Sequence, residues 1–286
     1  MIRPDDRIQK VGFGQGFFWL MRSFMLFRLG SRSLLGVAAM WLLLSMVAII
    51  PLIGQLILAV ITPLLTAGVL VAFDQVSAKQ QPTSAVLLSG WHRPKARPTL
   101  VLLGFWTIIG AMLALSFVAS WLGSQLSEAE LQAALADPQN FVAMAENLHF
   151  GNQLYLAGLT VLLVVMGLYF AVPLSVFGDI TLWPAVRASF KAIVLNPTAF
   201  FGFIITLVVL LTGFVMVMVS LVSLLAQLPG VMGVMFAQIL ILVMTMALQM
   251  TLAGAQYVAF CDIFGWTAEP PQSSSGPSDS DDELVL

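Results

Sequence analysis

The chain has 286 residues, of which 59% are apolar and 9% are charged. Soluble domains run at about 45–50% apolar and about 25% charged, and a soluble chain of this length needs far more charge to cover its surface. The composition therefore excludes a soluble globular enzyme and a disordered chain, and leaves a polytopic membrane protein of all-α class.

Residues 1–32 form an N-terminal segment, expected to be cytoplasmic, that opens on the polar stretch Met1–Lys10. It leads into no cleavable apolar core with a small-residue exit, so the first span is expected to be retained. Within it, Gly12–Leu29 sets Phe13, Phe17, Leu20, Phe24 and Phe27 on one helical face, with Arg22 opposite. That spacing predicts an interfacial helix on the inner leaflet; the alternative is an extension of the first span.

Residues 33–265 form the membrane domain. The charge-free run Ser33–Phe73 would be about 60 Å long as one helix, twice the thickness of a hydrocarbon core of about 30 Å. It must fold back, and Ile50-Pro51-Leu52-Ile53-Gly54 is its turn. Spans 1 and 2 then cover 33–50 and 55–73. Span 3 covers 99–122 and span 4 covers 154–178. The uncharged stretch from Ala192 to Cys261 turns at Leu228-Pro229-Gly230, giving span 5 at 199–227 and span 6 at 231–261. Pro63 and Pro173 fall inside spans 2 and 4, where neighbouring helices must satisfy the carbonyls they free. Residues 266–286 are a Pro-, Ser- and acid-rich tail, expected to be disordered and cytoplasmic.

All 12 Lys and Arg residues precede span 1, join spans 2 and 3, or join spans 4 and 5. The positive-inside rule makes that side cytoplasmic and puts both termini there. The linker Trp183–Leu195 has Trp183, Val186, Phe190 and Ile193 on one face and Arg187 and Lys191 off it, which predicts a second interfacial helix. On the other side, Ser127-Glu128-Ala129-Glu130 is a capping-box pattern and Asp137-Pro138 a second helix start. The acids of this loop read either as a solvated surface or as a lid that attracts cations.

The chain repeats itself. Phe24–Gly36 matches Phe190–Gly202, and Ala67-Gly68 through Asp74 matches Ala253-Gly254 through Asp262. Three units are expected, each an interfacial helix followed by a hairpin of two spans. Ser89-Gly90-Trp91 stands before span 3 in the most diverged middle unit. The even spans end at Asp74, Asp179 and Asp262, at helix C-termini where the macrodipole disfavours an anion. Pairing with Arg22, Arg28 or Arg187 would offset that cost and clamp interfacial helices to the bundle; the alternative is that each aspartate is a solvated span end.

No ionisable residue lies near the middle of a span, which argues against ion-coupled transport. No phosphate loop, zinc-protease helix or nucleophile elbow is present. One cysteine and two histidines make a soft-ligand metal site hard to assemble, and the basic residues form no nucleic-acid patch. Neither a metal nor a cofactor is implied. The polar feature that stands out is in span 6. Gln238, Thr245, Gln249 and Gln256 fall within about 20° of one line on the helix. They read as helix–helix contacts or as a polar path or headgroup groove.

Gly16-Phe17-Phe18-Trp19-Leu20 with Arg22 and Phe24, the Pro51…Gly54 hairpin, Thr62-Pro63 with Gly68, Ser89-Gly90-Trp91, and Trp183 with Phe190 together resemble a bacterial family of uncharacterised six-span inner-membrane proteins. These are similar in outline to the membrane domain fused to some glycerophosphodiester phosphodiesterases. The resemblance implies location and fold; the fused catalytic domain has no counterpart here, so it implies no activity. The expectation is a non-enzymatic, multi-pass protein of the bacterial inner membrane, with the bilayer and other membrane proteins as partners and no nucleic acid. It would act as a scaffold or accessory protein, or alternatively as a passive carrier or channel for a lipid-like or small polar solute.

Overall fold

The computed structural model describes residues 8–136, 149–225, 227 and 231–268. Among these, the chain forms ten helices and no strand. They are α1 (Phe13–Leu29), α2 (Ser31–Ser45), α3 (Ile53–Ser77), α4 (Ser89–His92), α5 (Ala96–Gln125), α6 (Glu128–Ala136), α7 (Asn152–Gly178), α8 (Leu182–Leu195), α9 (Pro197–Leu225) and α10 (Val231–Phe264). A 3-10 turn carries α2 on to Ile49, and another, Ser84–Leu88, precedes α4. The helices α2, α3, α5, α7, α9 and α10 are long and apolar enough to cross a membrane. The protein is a multi-pass membrane bundle. The turn at 228–230, the helix start at Asp137-Pro138 and most of the tail lie outside the described residues.

The spans overrun their apolar cores by a few residues, because hydrogen bonding and not hydropathy ends a helix. At the end of α10, Gly265 takes φ 65°, a left-handed conformation that glycine adopts without strain. Trp266 N–H then bonds back to Cys261 O at 3.2 Å. In the first hairpin the left-handed residue is Leu52 (φ 62°, ψ −63°), and Ile53 N–H donates to Pro51 O at 2.7 Å. This is a γ-turn, a strained reversal. Gly54, expected to provide the bend, is helical; it is needed instead because a Cβ there would collide with Val47 O.

Packing is concentrated at the basic end of the bundle. The ends of α3, α7 and α10 meet there, with Phe73 stacked on Tyr257 at 6.5 Å and Phe177 against Tyr257 and Phe260 at 6.2 and 5.6 Å. Phe73, Phe170, Met250 and Ile263 are fully buried. At the other end the helices are mostly exposed: from Val231 to Gln249 the buried residues of α10 are Gly233 and Ala237.

The segments between hairpins dock in a cyclic order. The Ser84–His92 segment packs on α2 and α3, the hairpin before it. Helix α8 packs chiefly on α7, with lighter contact to α5, again the preceding hairpin. Helix α1 closes the ring by packing on α9 and α10, the last hairpin. The docking residues follow the repeat. Gly68 receives the Leu87 backbone, and its match Gly254 receives Ser23. Ser23 donates to Thr251 O of α10 at 2.5 Å. Ser189, which precedes Phe190 as Ser23 precedes Phe24, donates to Met166 O of α7 at 2.6 Å. In the middle unit Ser89 Oγ is buried with no partner among the described residues.

Candidate functional site

The three aspartates meet different partners. Asp262, at the end of α10, accepts from Trp19 Nε1 at 3.0 Å and pairs with Arg22 Nη1 at 3.1 Å. Trp19 is fully buried and packs edge-on against Phe200 at 5.4 Å. The docking face of α1 is Gly16, Trp19, Leu20 and Ser23. Phe17 and Phe24 are exposed, and Phe13, also about half exposed, lies 6.4 Å from Phe201 of α9. The stripe of phenylalanines legible in the sequence is thus divided: Phe17 and Phe24 are exposed, while Leu20 is buried and Phe27 packs partly against the core. Gly16 and Gly202 allow the backbones of α1 and α9 to touch: a Cβ on Gly16 would strike Ala199 O and Phe203 N, and one on Gly202 would strike Phe13 O. Val11 N–H donates to Asn196 Oδ1 at 2.8 Å and ties the entry of α1 to the start of α9.

Asp74, at the end of α3, is bound by neutral donors: Tyr257 Oη and Trp266 Nε1, each at 2.9 Å. Ser77 Oγ also meets Tyr257 Oη at 2.9 Å. The reversal at Gly265 delivers Trp266 to this cluster, where it lies 5.0 Å from Phe177. Asp179, left-handed at φ 51°, closes α7 and lies 3.6 Å from Lys95 at an exposed site. Arg93 donates to Val176 O one turn before that end. Of the arginines singled out in the sequence, Arg22 is brought to an aspartate, while Arg28 and Arg187 are brought to none of the three.

The amide line on α10 divides. Gln256 donates to Tyr169 O of α7 at 2.6 Å. Gln238, Thr245 and Gln249 are exposed. Tyr169 O is the carbonyl four residues before Pro173, which has no N–H to give it. Ser189 of α8 also reaches the backbone of α7 nearby, where its Oγ accepts from Phe170 N–H at 2.9 Å while donating to Met166 O. Those two groups are the ends of one helical rung. The sequence marked Pro173 as a place needing help but gave no sign of the donor, because Gln256 is 83 residues away in the chain and reads equally well as one more member of a stripe.

Asp74, Asp262 and Gln256 each bond a neighbouring element of the bundle, whereas Asp179 and its partner Lys95 are exposed. Among the described residues, no three His, Cys, Asp or Glu side chains gather as metal ligands would. No family model matches the chain, and no curated protein and no solved structure matches it either.

Proposed function

We propose that the chain is a non-enzymatic scaffold or accessory protein of a bacterial inner membrane, related to the six-span family it resembles. Both termini would be cytoplasmic. The orientation is supported by the basic residues at one end of the bundle and Glu128 and Glu130 beyond the other. The observation that carries the function is the exposed line Gln238, Thr245 and Gln249 on a helix apolar enough to cross a membrane. An unpaired amide in hydrocarbon costs several kcal/mol, and amides bind well to other membrane helices. A polar partner from outside the chain would relieve that cost. Photo-crosslinkers at 238, 245 and 249 should join one discrete protein, and crosslinkers at the lipid-type positions Val208 and Met216 should not. Capture of lipid alone at all five positions would defeat the scaffold reading.

The second reading is a passive carrier for a lipid-like or small polar solute. It is favoured by Gln256, which turns the same helical line toward α7. The exposed amides then face the side on which α7 lies. In proteoliposomes, Gln249→Leu should abolish flux; a wild-type chain without flux, or a variant with unchanged flux, removes this reading.

A further inference from the structure

At the basic end, a cavity of about 390 Å³ lies between the corner joining α1 to α2 and the chain leaving α3. Arg32 and Lys79 line it from two elements, together with the polar Ser31 and Gln80 and the apolar Leu29 and Val76. Among the described residues, no carboxylate lines it. The side chains of Ser31, Arg32 and Lys79 make no hydrogen bond or ion pair among the described residues. Each cation has an unusual place in the local backbone. Arg32 is in the first turn of α2, whose dipole repels a cation. Lys79 is left-handed at φ 60°, the position where glycine normally ends a helix. Its N–H bonds Val76 O at 3.0 Å, and Gln80 N–H bonds Gln75 O at 2.8 Å. This double bond pattern holds the lysine backbone in place. A bound anion would offset the repulsion at Arg32 and use the fixed placement of Lys79.

We propose that this cavity binds the phosphate ester of an anionic phospholipid headgroup in the leaflet at the basic end. Arg32 and Lys79 neutralise the phosphate, Ser31 and Gln80 offer hydrogen bonds, and Leu29, which is 80% exposed, gives the adjoining acyl carbons an apolar wall. A basic pocket beside membrane helices is the arrangement that recognises such headgroups. Free phosphate offers the same chemistry without the chains.

The test is native mass spectrometry of the full chain in detergent, titrated with phosphatidylglycerol or phosphatidylcholine. Wild type should prefer phosphatidylglycerol by about tenfold. The preference should vanish in R32Q/K79Q, persist in R32K/K79R, which keeps both charges, and persist in R97Q, which removes an exposed cation outside the cavity. Displacement of phosphatidylglycerol by millimolar inorganic phosphate would show that the phosphate group is read by itself; resistance to displacement would assign the lipid, chains included. Absence of any preference in wild type, its survival in R32Q/K79Q, or an equal loss in R97Q would overturn the site.

Discussion

Gln256 on α10 supplies Tyr169 O on α7 with the hydrogen bond that Pro173 cannot give, at 2.6 Å. Removing the amide leaves a carbonyl unpaired in an apolar setting. Gln256→Leu should therefore cost about 1–2 kcal/mol in thermal unfolding in detergent. Restoring the missing N–H with Pro173→Ala should make the same change nearly neutral, because the rung then closes within α7. The two substitutions form a double-mutant cycle. An equal cost in both backgrounds would show that Gln256 serves α7 in some other way.

Ser23 and Ser189 occupy matched positions in α1 and α8, and each bonds a carbonyl of the hairpin before it in the ring. Both are fully buried. Ser23→Ala and Ser189→Ala should each lower stability by about 1 kcal/mol. Ser189→Val should be worse, because its branch enters the Met166–Phe170 rung, which has no room for it. A neutral Ser23→Ala beside a costly Ser189→Ala would mean that the ring is closed by the aromatic contacts of Trp19 and not by the repeated serine.

The six spans could be read from the sequence because charge-free runs and bilayer thickness leave few solutions. The match of Phe24–Gly36 to Phe190–Gly202 also stands in the sequence, and Ser23 and Ser189, each one residue before it, both bond a neighbouring hairpin. The docking order was not legible. Which hairpin receives α1 depends on small residues such as Gly16, Ser23, Gly202 and Gly254, which carry almost no periodic signal of their own. Hydrophobic periodicity marks the phenylalanine face of α1, the face expected to rest on the inner leaflet, and it says nothing of the face of Gly16, Trp19 and Ser23 that docks on α9 and α10. Asp74 illustrates a similar gap. A charge at a helix end suggests an ionic partner, whereas Tyr257 and Trp266 bind it through contacts that depend on a chain reversal at Gly265.

Close backbone contact makes some glycines irreplaceable and others idle. A Cβ at Gly16 or Gly68 meets main-chain atoms of α9 or of Leu87, and backbone cannot step aside as a side chain can. Gly16→Ala and Gly68→Ala should each cost several kcal/mol, within the range of overpacked cores. Gly213→Ala on α9 has nothing within 4 Å of the new Cβ. It should be neutral or stabilising by about 0.5–1 kcal/mol through the helix preference of alanine. Thermal unfolding of the three variants checks this order, and a tolerated Gly16→Ala would show that α1 sits less tightly on α9 than the contact implies.

Breaking the α1 clamp should separate its ionic and apolar parts. Arg22 is half exposed, and exposed ion pairs contribute about 0–1 kcal/mol. Arg22→Gln should thus change little, and any change should shrink in high salt. Trp19 is fully buried, so Trp19→Ala should cost about 3–5 kcal/mol and expose α1 to limited proteolysis. If Arg22→Gln released α1 as fully as Trp19→Ala, the ion pair would be the principal fastening.

At the opposite end, Ser127 and Glu130 cap α6 reciprocally. Glu130 Oε2 accepts from Ser127 Oγ at 2.7 Å and from Ser127 N–H at 2.8 Å. These bonds favour the carboxylate and hold the Glu130 pKa below its ordinary 4.5. A carboxyl group whose pKa is lowered by folding adds stability that is fully present above the unfolded value. That stability is lost as pH falls through the folded value. Hydrogen-exchange protection of α6 should accordingly hold from neutral pH down to about 4.5 and fall at lower pH. Glu130→Gln should lack this acid-side loss, since its amide does not titrate. Protection that declines equally in both chains would assign the acid sensitivity to other groups.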